Sequence, residues 1–106
     1  MKPVDEQTIH EMAQRVAREL EAERVILFGS RAEGHASTDS DVDLFVIVPR
    51  SGESAHQRAV RAHRCLRGLG VAKDVVVGTR DEVDRYRDVV GSLEHHVLTH
   101  GKVLYG

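Results

Sequence analysis

The chain is poor in several features that would otherwise decide its class. It has one cysteine, Cys65, so no internal disulfide can form. A reducing, cytoplasmic setting is the default for such a chain. No apolar run approaches the roughly 20 residues that a membrane span needs, so no membrane association is expected. The stretch from Met1 to Leu20 is charged and amphipathic, and lacks the apolar core and small-residue cleavage site of a secretory signal. There is no strong net charge either. At −2 it creates no bulk field that would draw in nucleic acid or an anionic surface. An anionic ligand must therefore be held by local features or by metal ions. Repeats, low-complexity tracts and long linkers are also missing. With 106 residues, the expectation is a single domain over 1–106 with a modest core.

What is present alternates between helical and extended patterns. Ile9, Met12, Ala13, Val16, Ala17 and Leu20 recur at spacings of three and four, which predicts a helix with one apolar face. Asp5 or Thr8 would cap it, and Pro3 keeps it from starting earlier. Arg24 to Phe28 reads as a buried strand ended by Gly29. Gly29 to Ser40 reads as a helix-opening turn plus a loop, in which Asp39 is a turn residue. Asp41 to Val48 predicts a second strand, stopped by Pro49. A helix from about Ala55 to Arg67 follows, with Ala59, Ala62, His63 and Leu66 inward, ended by Gly68 and Gly70. Lys73 to Gly78 predicts a third strand. Thr79 and Glu82 have capping-box spacing, so a helix starts at Arg80, with Val83, Tyr86, Val89 and Val90 on its inner face. Gly91 and Ser92 restart a last helix through Leu93 and Val97, and Lys102 to Tyr105 is a terminal extended segment. The αβαβαβ order predicts an α+β fold, a small mixed sheet with helices packed against it.

The chemistry concentrates in Gly29-Ser30-Arg31-Ala32-Glu33-Gly34 and Ser40-Asp41-Val42-Asp43-Leu44. Side chains alternate on a strand, so Asp41 and Asp43 share one face about 6.6 Å apart along it, while Val42 and Leu44 enter the core. Two unit charges about 6 Å apart repel by roughly 2.8 kcal/mol at an effective dielectric near 20. A bound cation would relieve that cost, and hard divalent ions such as Mg²⁺ fit this pair together with a phosphate. Gly29 lets backbone approach a phosphate closely, and the amides of the following turn, with the Ser30 hydroxyl, make an anion site. Gly34 lets the chain exit without a side chain in the way. If the third strand lies beside the second, Asp74 completes a triad able to hold two metal ions for an in-line phosphoryl displacement.

Gly29-Ser30-x-Ala32-x-Gly34 followed by Ser40-Asp41-x-Asp43-Leu44 resembles the signature of the DNA polymerase beta nucleotidyltransferase superfamily. The short chain is similar to its minimal nucleotidyltransferase (MNT) branch, whose members serve as antitoxins beside HEPN-type ribonuclease toxins. The resemblance implies the nucleotidyltransferase fold and a nucleotide site at Gly29 and Ser30, with Arg31, Gly34 and Ser40 as further candidates. It implies that Asp41 and Asp43 bind both of two Mg²⁺ ions. It implies that Asp74 binds the catalytic ion and assists deprotonation of the acceptor. The implied reaction is transfer of AMP from ATP to a tyrosine hydroxyl of a partner toxin; the choice of ATP rests on the resemblance alone. No extra domain that would recognise a nucleic acid or small acceptor is visible, so another protein would bring the acceptor. Two alternatives remain open. One is an antitoxin that neutralises its partner by binding without catalysis. The other is a transferase acting on a small molecule or an RNA end.

Other residues carry less. Arg31 either contacts a phosphate or decorates its turn. Glu33 reads as solvated, and Cys65 as a small helix residue rather than a nucleophile. His95, His96 and His100 lack a partner that completes a zinc spacing. Arg58, Arg61, Arg64 and Arg67 read as a solvated helix face, with a docking surface for an acidic partner as the alternative.

Overall fold

The computed structural model describes residues 4–34 and 40–106; the sequence expectations for Pro3 and Asp39 lie outside the described residues. The first helix, α1 (Glu6–Leu20), is capped by Asp5, whose carboxylate accepts from the Thr8 amide at 2.7 Å. Its five buried residues, Ile9, Met12, Ala13, Val16 and Ala17, are five of the six the spacing selects; the sixth, Leu20, is half-buried. It ends at Glu21 in the left-handed region. Strand β1 (Arg24–Phe28) leads directly into the short helix α2 (Ser30–Glu33). Strand β2 (Val42–Val48) starts one residue later than its sequence pattern suggests, so Asp41 stands at its entrance rather than in it.

Helix α3 (Ala55–Cys65) opens on a reciprocal cap between Ser54 and Gln57 and ends two residues short of Arg67. Strand β3 (Lys73–Thr79) passes without a loop into α4 (Arg80–Tyr86), where Thr79 and Glu82 form the expected capping box. Ser92 caps α5 (Leu93–His100), and β4 (Lys102–Tyr105) closes the chain.

The four strands make one mixed sheet in the order β3-β2-β1-β4. β1 runs antiparallel to both β2 and β4, whereas β3 runs parallel to β2. The parallel pair needs a crossover, which α3 supplies. Helices cover both faces. Val25, Leu27, Val42, Leu44, Val46, Val48, Val75 and Val77 pack with α1 and α3 on one. Ile26, Phe45 and Ile47 pack with Val83 of α4 and Val97 of α5 on the other. β2 is thus buried on both sides, and Asp43 is its one residue that solvent reaches appreciably. The architecture is α+β, with helices on both faces of a small mixed sheet, as the sequence order leads one to expect.

Two sequence expectations need correction. Arg58 is not part of a solvated arginine face: it is 6 % exposed. It donates to the carbonyls of Val77 and Glu53 and to Glu82. A spacing of three drifts round a helix that turns every 3.6 residues, so the four arginines do not share a face. Nor do Tyr86, Val89 and Val90 line an inner face with Val83. α4 stops at Tyr86, the chain turns, and Val90 is 84 % exposed.

Candidate active site

The register of the sheet assembles the acidic residues. Asp43 of β2 stands directly opposite Asp74 of β3. Paired residues on parallel neighbours project to the same side, so both carboxylates lie on the face that α4 and α5 cover elsewhere. Asp41, two residues before Asp43, is exposed at the same end of the sheet. The three acids interact. The Asp43 carboxyl is pushed above its ordinary value first by burial, then by the charge of Asp74, then by that of Asp41. This is the electrostatic cost that the paired aspartates imply.

The glycine–serine turn meets the acids from β1. Phe28, the last residue of β1, pairs with Asp43. Gly29 then turns the chain with φ +75°, a conformation that L side chains rarely adopt. A Cβ at that position would collide with Oδ2 of Asp43 and lie 3.2 Å from its Cγ. Glycine is required there twice over, for its backbone angle and for the approach. Ser30 and Arg31 follow in the first turn of α2, where amides have no acceptor within the helix. Gly34 ends α2 in the left-handed region, and its amide donates to the Ser30 carbonyl.

Arg31 reaches across to the other half of the site. Its Nε and Nη2 donate to the Ser40 carbonyl at 3.1 and 2.8 Å. The sequence offered a phosphate contact or decoration for Arg31 and gave no sign of this bond, because its acceptor is a backbone atom. Glu33, half a turn on, lies 3.4 Å from His96 Nε2 on α5. Residues so far apart in the chain carry no spacing signal that would have paired them. His96 also sits against His100, with ring centroids 4.9 Å apart, while His95 Nδ1 bonds to the Arg87 carbonyl. Cys65 donates to the Ala62 carbonyl, and burial pushes its thiol up. A concavity of about 400 Å³ between Glu19, Arg50, Glu53 and Arg61 lies at the far end of β2, beside Val48.

The donor set at the acidic end is all carboxylate oxygen, which suits a hard divalent cation. Among the described residues no three acidic, histidine or cysteine side chains form a ready-made cage for one ion. Oxygens from phosphate and water would have to complete the coordination, as is usual for Mg²⁺. The carboxylates at this end therefore fit a hard cation whose remaining coordination comes from other oxygens.

Comparisons with known proteins bear on the family and the fold. A family model described as polymerase beta, nucleotidyltransferase matches residues 7–106. Among solved structures, the chain is similar to a candidate nucleotidyltransferase from Sulfolobus solfataricus, at 28% identity over 74% of this chain and 70% of that one, with a TM-score of 0.59. It is also similar to a toxin–antitoxin solved with AMP-PNP, at 22% identity over 92% of this chain and 73% of that one, with a TM-score of 0.62. A third similarity is to the toxin–antitoxin MntA–HpeT carrying two aspartate-to-glutamate substitutions, at 20% identity over 97% of this chain and 74% of that one, with a TM-score of 0.58. Among curated proteins no sequence matches significantly.

Proposed function

The chain belongs to the polymerase beta nucleotidyltransferase family, and from that premise we propose that it transfers AMP from Mg-ATP to a hydroxyl of a partner protein. The partner is a HEPN-type ribonuclease toxin, the acceptor is a tyrosine, and the chain acts as its antitoxin in the cytoplasm, as a single domain of the minimal branch. One observation carries the enzymatic part: Asp43 faces Asp74 in register and touches the Gly29 turn, with Asp41 at the same end. A solvated strand end does not explain why a phosphate-binding turn and three acids meet. The partner rests on similarity. Two neighbours in fold are toxin–antitoxins, one solved with an ATP analogue and one altered at two aspartates.

In this reading Asp41 and Asp43 bind two Mg²⁺ ions and Asp74 binds one of them. When bound, the ions neutralise phosphoryl oxygens and favour the ionised acceptor. Gly29 keeps the turn open, so the Ser30 amide and hydroxyl donate to the nucleotide's phosphate oxygens. Gly34 and Ser40 border the same nucleotide. Asp74, exposed at the sheet edge, takes the acceptor's proton. The acceptor oxygen then bonds to the α-phosphorus, the bond to the β-phosphate bridge breaks, and pyrophosphate leaves.

The test is incubation of the chain with labelled ATP, Mg²⁺ and the product of the neighbouring gene. Label on that protein, lost with Asp41→Asn or Asp43→Asn, supports the proposal. Folded chain that leaves the partner unlabelled argues against it. If the doubly substituted chain still neutralises the partner, binding alone is the antitoxin activity. Label on tRNA or an aminoglycoside instead would assign a different acceptor.

A further inference from the structure

Asp41 has an unusual position among the three acids. Asp43 and Asp74 lie inside β2 and β3, where the ladder fixes their backbone. Asp41 lies before the ladder and is exposed. Its backbone is nevertheless bracketed. On one side the Val42 amide donates to the Ala72 carbonyl at 3.0 Å. On the other, the Ser40 carbonyl accepts two N–H groups of Arg31.

We infer that Arg31 is a positioning residue that holds Asp41 in metal-binding geometry through the Ser40 carbonyl. The inference rests on the nucleotidyltransferase reading above and deepens it. A guanidinium presents two parallel donors in a rigid plane, and a carbonyl oxygen offers two lone pairs, so the pair fixes direction as well as distance. Arg31 sits on α2 next to Ser30, so the bond also ties the phosphate-binding turn to the carboxylate segment. The site is thereby closed at two points. Gly29 packs on Asp43 at the first, and Arg31 holds Ser40 at the second. Lysine cannot reproduce the fork and should restore only part of the effect.

Three full-length chains test this: Arg31→Ala, Arg31→Lys and, as a control on the exposed α1 surface, Arg15→Ala. Hydrogen exchange of peptides covering Ser40 to Leu44 reports the backbone. Mn²⁺ titration in the presence of AMP-PNP, followed by the electron paramagnetic resonance of free Mn²⁺, reports the metal site. Arg31→Ala should speed exchange in that segment alone and weaken Mn²⁺ binding by about tenfold, the low end of the loss when a group orienting a metal ligand is removed. Arg31→Lys should fall between it and the wild type, and Arg15→Ala should match the wild type. AMP-PNP binding without metal should be unchanged in all. Arg31→Ala that matches the wild type in exchange and in Mn²⁺ affinity overturns the inference. So does a parallel loss of metal-free AMP-PNP binding, which would make Arg31 a phosphate ligand. If the wild type itself binds no Mn²⁺, the transferase reading falls, and this inference with it.

Discussion

Gly29 and Asp43 are packed so closely that the glycine has no room for even a methyl group: a Cβ would overlap Oδ2 of the carboxylate. The glycine–serine turn and the central acid are therefore packed as one unit, and a side chain added at Gly29 must displace the Asp43 carboxylate. Gly29→Ala must move Asp43 and also hold a left-handed φ. The expected cost is about 1–3 kcal/mol of stability. Chemical denaturation measures that cost, and nucleotidyl transfer should fall well beyond what the loss of folded protein accounts for.

Asp43 predicts a trade between stability and activity. Its folded pKa is raised, chiefly by burial and then by Asp74 and Asp41. A group raised in this way contributes stability below its unfolded pKa and loses it as pH rises through the folded value. At neutral pH the charged form is therefore a burden. Asp43→Asn should raise the melting temperature slightly at pH 7, because the amide carries no charge for burial and the neighbouring acids to oppose. That gain should vanish near pH 3, while transfer is abolished at every pH. Thermal melts of the two chains across pH check the sign.

Glu82 should behave in the opposite way. The Thr79 amide, donating at 2.8 Å, is the first cause that holds its carboxyl below the ordinary value; the Thr79 hydroxyl and Arg58 add to it. A depressed group contributes stability above its unfolded pKa, and that stability is lost as pH falls through the folded value. Glu82→Gln should therefore lower the melting temperature at pH 7 and match the wild type in acid below the ordinary glutamate range. The same pH series of melts reads it out.

Arg58 joins α3 to β3 and α4 from inside the protein. Replacing it with methionine keeps its apolar stem but leaves the Val77 and Glu53 carbonyls without their donor. The expected destabilisation is about 2–4 kcal/mol. Most of it belongs to the buried Val77 carbonyl, because the Glu53 bond is only part-buried and Glu82 is 43% exposed, so its ion pair is screened. Urea unfolding gives the value, and the spectrum of the folded state should stay unchanged.

The sequence made the site more legible than its surroundings. Gly29 and Asp43 could be placed because turn and strand chemistry are local; Asp41, expected on the same strand face, instead stands just before β2 at the same end of the sheet. The capping box at Thr79 and Glu82 fixed the start of α4 for the same reason. Asp74 stayed conditional until the register of β3 was known, since strand order is a property of the whole sheet. Arg58 and Arg31 were hidden because each acts on backbone carbonyls, which leave no trace in residue types. The valines at 89 and 90 misled in the other direction. Their spacing is helical, but the chain turns after Tyr86, where the Ser92 hydroxyl donates to the Tyr86 carbonyl.

The central claim is that Asp41, Asp43 and Asp74 share divalent ions with a nucleotide held at Gly29. Paramagnetic broadening of the amide resonances by Mn²⁺ with AMP-PNP tests it directly. Broadening should centre on Gly29, Ser30, Asp43 and Asp74 and spare Val48 and Gly52 at the far end of β2. Asp41→Asn combined with Asp43→Asn should remove the effect. Broadening centred on His95, His96 and His100, or unchanged by the double substitution, would contradict it.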